Sequence, residues 1–170
     1  MGDFEVQLDD DVYHHLHRLA ERIFAERGRG HATVQPTAIL HEAWLKLADG
    51  RFDSERHFVA VAARAMRQIL IDRGRAKSRD KRGGPHQRQV TLSGLADSPR
   101  DVDLIDLDRA LTELEAVDPR GAEIAMLRTF GGLSIPEVAE TLGVSERTIQ
   151  REWRAARAFV VSRMGGDDTP

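Results

Sequence analysis

The stretch from Leu133 to Val160 constrains the fold most, because it carries two apolar periodicities separated by one glycine. In the first, apolar residues recur at i, i+3, i+4 and i+7, namely Ile135, Val138, Ala139 and Leu142. This spacing gives a short α-helix one apolar face. Ser134 and Ser145 precede the two segments and can cap them, and Gly143 lies where a tight turn needs a positive φ.

The second periodicity predicts a longer helix whose apolar face consists of Ile149, Trp153, Ala156 and Val160. Its opposite face is basic and polar, with Arg147, Gln150, Arg151 and Arg154. Two such helices around a glycine turn are typical of a helix-turn-helix. Arginine can bind guanine or phosphate and glutamine can bind adenine, so this face predicts binding in a DNA major groove. The alternative is a helical hairpin with a solvated charged face.

The charge of the chain is small in sum but strongly segregated. Its 170 residues carry a net charge of −3. Residues 64–88 hold nine Lys or Arg against two Asp, a net +7, and residues 97–123 hold nine Asp or Glu against three Arg, a net −6. A basic patch attracts phosphates even on an acidic protein. The alternative is a solvated linker. The opposite signs also favour packing of the two segments in a compact inactive form.

Composition argues against several classes of function. No cysteine is present, which excludes disulfides, thiolate zinc sites and cysteine nucleophiles. No apolar run approaches the ~20 residues of a membrane span, and the N-terminal residues lack the pattern of a secretion signal, so we expect a cytoplasmic protein. There is no catalytic constellation, so we expect neither an enzyme nor a cofactor. His14, His15 and His17 cluster without further ligands, so we expect no metal site.

The remaining periodicities predict helices throughout. A first helix is predicted over residues 8–26, a second from Pro36 to Leu47, and a long third from Ser54 or Glu55 to about Lys81. Leucines 104, 107, 111 and 114 predict another helix, and Asp118-Pro119 is typical of a helix start. We therefore predict an all-α fold with two small helical domains, residues 1–84 and 102–164, a flexible linker at 85–101 and a disordered tail at 165–170.

The order of these parts resembles the extracytoplasmic-function (ECF) sigma factors of bacterial RNA polymerase. The segment FGGLSIPEVAETLGVSERTIQREWRAARAFV is similar to the helix-turn-helix with which the family binds the promoter −35 element. This resemblance implies −35 contacts by Glu146, Arg147, Gln150, Arg151 and Arg154. Glu152 departs from the family pattern. It either points away from the groove or accepts a hydrogen bond from cytosine.

The N-terminal half resembles one branch of that family through PTAILHEAWLKLADG and RHFVAVAARAMRQILIDRGRAKSRDKRGG. The resemblance implies that the first domain captures melted −10 bases, with Arg51, Phe52, Arg64 and Arg67 as the candidate residues. For Phe52 the alternative is burial in the core. The helix from Thr37 to Leu47 would dock on core polymerase, with Glu42, Lys46 and Asp49 as the candidate residues.

One departure concerns the docking helix. Many family members place several acidic residues just before it, whereas here Glu42 is the only acid until Asp49. A basic polymerase surface would lose part of its electrostatic complement. We hypothesise that phosphorylation of Thr37 or Thr33 by a Ser/Thr kinase supplies the missing charge. The alternative is that these threonines only cap a helix.

The resemblance implies an alternative sigma factor that directs core RNA polymerase to specific promoter DNA. We expect a monomer in the free state, and an anti-sigma factor is a further candidate partner. The rival interpretation is a helix-turn-helix repressor or response-regulator output protein that acts without polymerase. It accounts equally well for residues 102–164, but not for the basic long helix after residues 50–54.

Overall fold

A computed structural model of the chain describes residues 16–17, 36–47, 50–79, 89–92, 95 and 100–164. Within these ranges the elements are α1 (Pro36–Leu47), α2 (Glu55–Arg79), β1 (Gln89–Leu92), β2 (Arg100–Asp103), α3 (Leu104–Val117), α4 (Pro119–Thr129), α5 (Ile135–Leu142) and α6 (Glu146–Met164). The predicted all-α class is confirmed. Of the predicted first helix, only Leu16 and His17 are described. Both are helical, and Leu16 is fully buried.

One feature differs from the sequence prediction. Part of the predicted linker forms a small antiparallel ribbon, in which Gln89 pairs with Asp103 and Leu92 with Arg100. No strand was predicted here, because four residues are too few to establish an alternating period. The proposed domain boundaries themselves remain a prediction.

Aspartate side chains cap α3 and α4, the first two helices of the C-terminal half. Asp103 caps α3 by accepting a hydrogen bond from the amide of Ile105 at 2.9 Å. Asp118 caps α4 in the same way through Gly121, also at 2.9 Å. Each cap satisfies a backbone donor that the first helical turn leaves unpaired. The sequence prediction of a helix start at Asp118-Pro119 is confirmed.

The turn between α5 and α6 follows its predicted chemistry. Gly143 has φ 67° and ψ 35°, the left-handed conformation that favours glycine. The next residue, Val144, donates its amide to the carbonyl of Ala139 at 3.0 Å, which closes the end of α5. Ser145 then accepts from the amide of Thr148 at 3.2 Å and begins α6. The turn therefore sets the angle at which α6 leaves α5.

The buried apolar side chains form one continuous cluster that runs through both helical halves. In the N-terminal half α1 packs on α2, and in the C-terminal half α3, α4 and α6 pack on one another with α5 against α6. Helix α2 also packs against α3 and α4. The two halves are therefore in direct contact. None of the described helices is both long and apolar enough to cross a membrane.

We expect Gly143→Ala to lower the free energy of unfolding by roughly 1–2 kcal/mol, the cost of the left-handed conformation for an L-residue. A new methyl group would meet no atom within 4 Å, so the cost is conformational rather than steric. Urea denaturation measures the change. Gly143→Asn is the control, because asparagine tolerates this conformation and should lose less. Equal losses for the two variants would contradict this account.

Candidate nucleic-acid interface

The second helix of the helix-turn-helix presents a broad polar face to solvent. The predicted −35 residues Glu146, Arg147, Gln150, Arg151 and Arg154 are all exposed. The side chain of Arg151 is 75% exposed, and its closest charged neighbour is Glu152 at 3.6 Å. The opposite face of α6 is buried, as the periodicity predicted. The helix therefore offers several guanidinium groups that a nucleic acid can approach.

A capping box fixes the start of the bracing helix α5. The backbone amide of Ser134 donates to the Glu137 carboxylate at 2.7 Å, and the amide of Glu137 donates to the Ser134 hydroxyl at 3.4 Å. Two otherwise unpaired donors are thus satisfied reciprocally. Buried Val138 and Ala139 seat α5 in the core. The bracing helix is consequently anchored at its start and along its apolar face.

Arg128 of α4 contacts the helix-turn-helix at two points. Its guanidinium lies 5.6 Å from the ring centroid of Trp153, the large apolar residue of α6. It also donates a hydrogen bond to the carbonyl of Leu133, just before α5. Burial lowers the pKa of Arg128, while the nearby carboxylate of Glu137 acts in the opposite direction. Arg128 therefore contacts both the segment that leads into α5 and the Trp153 ring on the buried face of α6.

An ion pair accounts for the acidic residue that departs from the family pattern. The Nε of Arg120 in α4 donates to the Glu152 carboxylate at 2.7 Å. The Glu152 side chain is only 24% exposed. The pair directs the Glu152 carboxylate toward α4. The pair also ties α6 to α4 and keeps the carboxylate occupied.

The loop before α2 requires a correction. Phe52 was a candidate for stacking on an unpaired base, but its ring is only 5% exposed. The ring packs edge-on against Phe58 at 5.1 Å and against His57 at 5.8 Å between centroids. Burial of an aromatic ring removes a large apolar surface from water and lowers the free energy of the folded state. Phe52 is therefore a core residue here. Arg51 beside it is exposed.

The two remaining −10 candidates lie on α2 and differ in accessibility. Arg64 is exposed, whereas the Arg67 side chain is only 15% exposed. Arg67 donates from Nε and Nη2 to one oxygen of Asp108 in α3, at 3.0 and 2.7 Å. Both arginines line a cleft of about 230 Å³ between α2, α3 and α4. The structure therefore brings these arginines against the C-terminal half of the chain.

Helix α1, which the sequence predicted to dock on polymerase, has little free negative charge. Its one carboxylate, Glu42, accepts hydrogen bonds from the Nε and Nη2 atoms of Arg73 at 3.2 and 2.9 Å. Lys46 and the apolar Leu45 are exposed beside it. Asp49 and Thr33 lie outside the described residues, and Thr37 is described only as a backbone position within α1.

Sequence reasoning did not find the roles of Asp108, Arg120 and Arg128. Asp108 was one of nine acidic residues in its segment, and nothing local distinguishes it from the others. The partners of Asp108 and Arg120 lie 41 and 32 residues away along the chain. A helical period reveals which face is buried, but not which distant side chain lies opposite.

A comparison with protein-family models matches residues 4–165 to a model described as ECF sigma factor. The chain belongs to this family. The match covers nearly the whole sequence, so the resemblance inferred from the motifs is confirmed. Comparisons with curated proteins and with solved structures gave no match.

Family membership assigns this protein the role of an alternative sigma factor in transcription initiation. ECF sigma factors are regulatory DNA-binding factors rather than enzymes, and their partners are core RNA polymerase and promoter DNA. This role replaces the repressor interpretation, which needed no polymerase. The exposed basic face of α6 is consistent with the role.

We expect Arg128→Met to lower the free energy of unfolding by roughly 2 kcal/mol, because it removes a charged hydrogen bond and a cation–π contact. Arg128→Lys keeps the charge but loses the planar group, and should cost less. Urea denaturation followed by circular dichroism measures both changes. A more stable Arg128→Met would mean that desolvation of Arg128, including its unpartnered Nε, outweighs these contacts.

Proposed function

We propose that this ECF sigma factor binds the −35 promoter element through α6 and the −10 element through the start of α2 and the loop before it. The observation that carries the proposal is the exposed basic face of α6, held on a capped helix-turn-helix. Arg147, Arg151 and Arg154 can contact guanine edges or phosphates, and Gln150 can contact adenine. Glu146 lies at the N-terminal end of the same face.

The support for the −10 contacts is weaker and comes from charge and position. Arg51 and Arg64 are exposed near the start of the long helix and can bind the promoter backbone. Arg67 belongs to the same surface once its contact with Asp108 is released. Phe52 is not included, because its ring is buried. Melting a promoter costs a few kcal/mol per unstacked step, so polymerase contacts must supply part of the free energy.

We place the polymerase contact on α1, where Leu45 and Lys46 are exposed. Glu42 would add little negative charge to this surface while it is paired with Arg73. The charge hypothesis for Thr37 and Thr33 follows from this deficit. A phosphate adds about −1.5 to −2 charges at neutral pH and would strengthen contact with a basic partner surface.

The decisive experiment reconstitutes the purified protein with core RNA polymerase and sequences transcripts from a promoter library. We expect promoter-specific RNA with the wild-type protein and at least a tenfold loss with Arg151→Ala or Arg154→Ala. Removal of one good base or phosphate contact costs about 1–3 kcal/mol, which accounts for such a loss.

Arg163→Ala is the matched control, since Arg163 lies on the same helix but its Nε faces Glu113 of α3 at 3.4 Å. It should transcribe like the wild type. An equal loss in all three variants would indicate general damage to α6 rather than lost DNA contacts. Tight binding to a palindromic duplex without any polymerase dependence would contradict the proposal.

We expect Thr37→Glu to raise affinity for core polymerase, because it adds negative charge at the start of the docking helix. Titration of labelled core enzyme measures the dissociation constant. Thr37→Gln is the control, since it has a similar size without charge. If both variants bind like the wild type, Thr37 is not a charge-dependent switch.

A further inference from the structure

A network of hydrogen bonds between the two halves of the molecule joins two side chains of opposite charge, Arg67 and Asp108. Arg67 belongs to the basic helix α2, and Asp108 belongs to the acidic segment that forms α3. Besides the Asp108 carboxylate, Nη2 of Arg67 donates to the Asp108 carbonyl at 3.2 Å and to the Thr112 hydroxyl at 3.1 Å. The side chains of Arg67 and Asp108 are only 15% and 21% exposed. Two of the three guanidinium nitrogens of Arg67 are thus occupied.

The second oxygen of the same carboxylate contacts another basic residue of α2. Nη2 of Arg75 lies 3.4 Å from Oδ2 of Asp108. Arg67 and Arg75 are eight residues apart, about two helical turns, so both lie on the side of α2 that faces α3. A carboxylate held by guanidinium groups occupies positions that phosphate oxygens would otherwise take. Asp108 therefore competes directly with DNA for Arg67, and in part for Arg75, whose side chain is 56% exposed.

Apolar packing brings the two helices together beside this contact. Gly74 is buried on α2, and a methyl group added there would lie 3.5 Å from Cβ of Leu104 at the start of α3. Glycine costs about 1 kcal/mol relative to alanine inside a helix. Its position here leaves room for α3 to approach the α2 backbone. The contact is thus supported by shape as well as by charge.

The cleft next to the ion pair is also lined by arginines of α2 and by glutamates of the C-terminal half. Arg64 and Arg67 line one wall, and Glu115 and Glu123 line the opposite one. The basic surface proposed to bind the −10 element thus faces carboxylates of the C-terminal half. In this arrangement DNA would approach the surface against negative charge.

The closed arrangement is also too compact to bind both promoter elements. The −35 and −10 elements are about 25 base pairs apart, or roughly 85 Å at about 3.4 Å per base pair. Here the helices assigned to the two elements belong to halves that are in contact. A molecule in this state can engage one element at most.

We propose that Asp108 is an autoinhibitory latch, which holds Arg67 and Arg75 away from DNA in the free protein and releases them when polymerase separates the two halves. This inference rests on the proposed function for the assignment of α2 to promoter DNA. The closure itself rests only on the contacts between α2 and α3. Free protein would then bind DNA through α6 with few contributions from α2.

The salt dependence of DNA binding by the free protein tests the latch, with a 30-base-pair duplex as the probe. Each phosphate neutralised by the protein changes the slope of log K against log salt by about −0.9. We expect Asp108→Asn to steepen the slope by about one to two, because Arg67 and Arg75 become available. Asp106→Asn is the matched control, since it removes the same charge from α3 but its partner is Arg109 of the same helix.

A second variant opens the latch without changing charge. Gly74→Leu should push α3 away from α2 and steepen the slope as Asp108→Asn does, whereas Gly74→Ala makes only an ordinary contact and should not. In the Asp108→Asn background, Arg67→Ala should remove about one unit of the increase in slope, because one of the two released arginines is lost.

Closure is measured separately by energy transfer between dyes on cysteines introduced at Arg56 in α2 and Glu140 in α5. The chain has no native cysteine to interfere. Asp108→Asn and Gly74→Leu should lower the transfer efficiency, and Asp106→Asn should not. If neither opening variant changes the efficiency or the slope, or if Arg67→Ala leaves the slope of Asp108→Asn unchanged, the latch is wrong. If the variants open the molecule but the protein does not support promoter-specific transcription with core polymerase, the latch stands and the proposed function is wrong.

Discussion

The ion pair between Arg67 and Asp108 joins the two helical halves of this ECF sigma factor, and much of its arrangement is organised around that contact. It places a basic helix against an acidic one, so opposite charges on separate parts of the chain neutralise each other. The pair is partly buried, and removal of either partner would leave an uncompensated charge while the halves stay closed. The contact is therefore stable in the free molecule and sensitive to anything that offers Arg67 another anion.

Signals that act within a few residues could be predicted from sequence. The starts of α4, α5 and α6 follow from Asp118-Pro119, Ser134 and Ser145, and the left-handed turn follows from Gly143. Each depends on backbone groups three or four positions away, so the sequence carries the whole interaction. The ribbon between residues 89 and 103 was not predicted, because strands of four residues are too short to establish an alternating period.

The candidate site also contains features that could be predicted from the sequence and features that could not. The exposed basic face of α6 follows from a period of 3.6 residues, which separates Ile149 and Trp153 from the arginines. Burial of Phe52 could not be decided, because an aromatic residue in a polar loop suits both a core and a base-stacking role. The partners of Arg67 and Glu152 could not be identified either, since charge segregation indicates that segments attract but not which side chains meet.

The ribbon of β1 and β2 also limits how far the two halves can separate. From Arg79 to Leu104 the chain advances 25 residues, which fully extended would reach roughly 85 Å at about 3.4 Å per residue. With Gln89 paired to Asp103, most of that contour is folded back on itself. The remaining tether reaches roughly 40 Å, about half as far. The paired ribbon thus shortens the connection between the two halves. Unpairing of its two strands would double the distance by which the halves can separate.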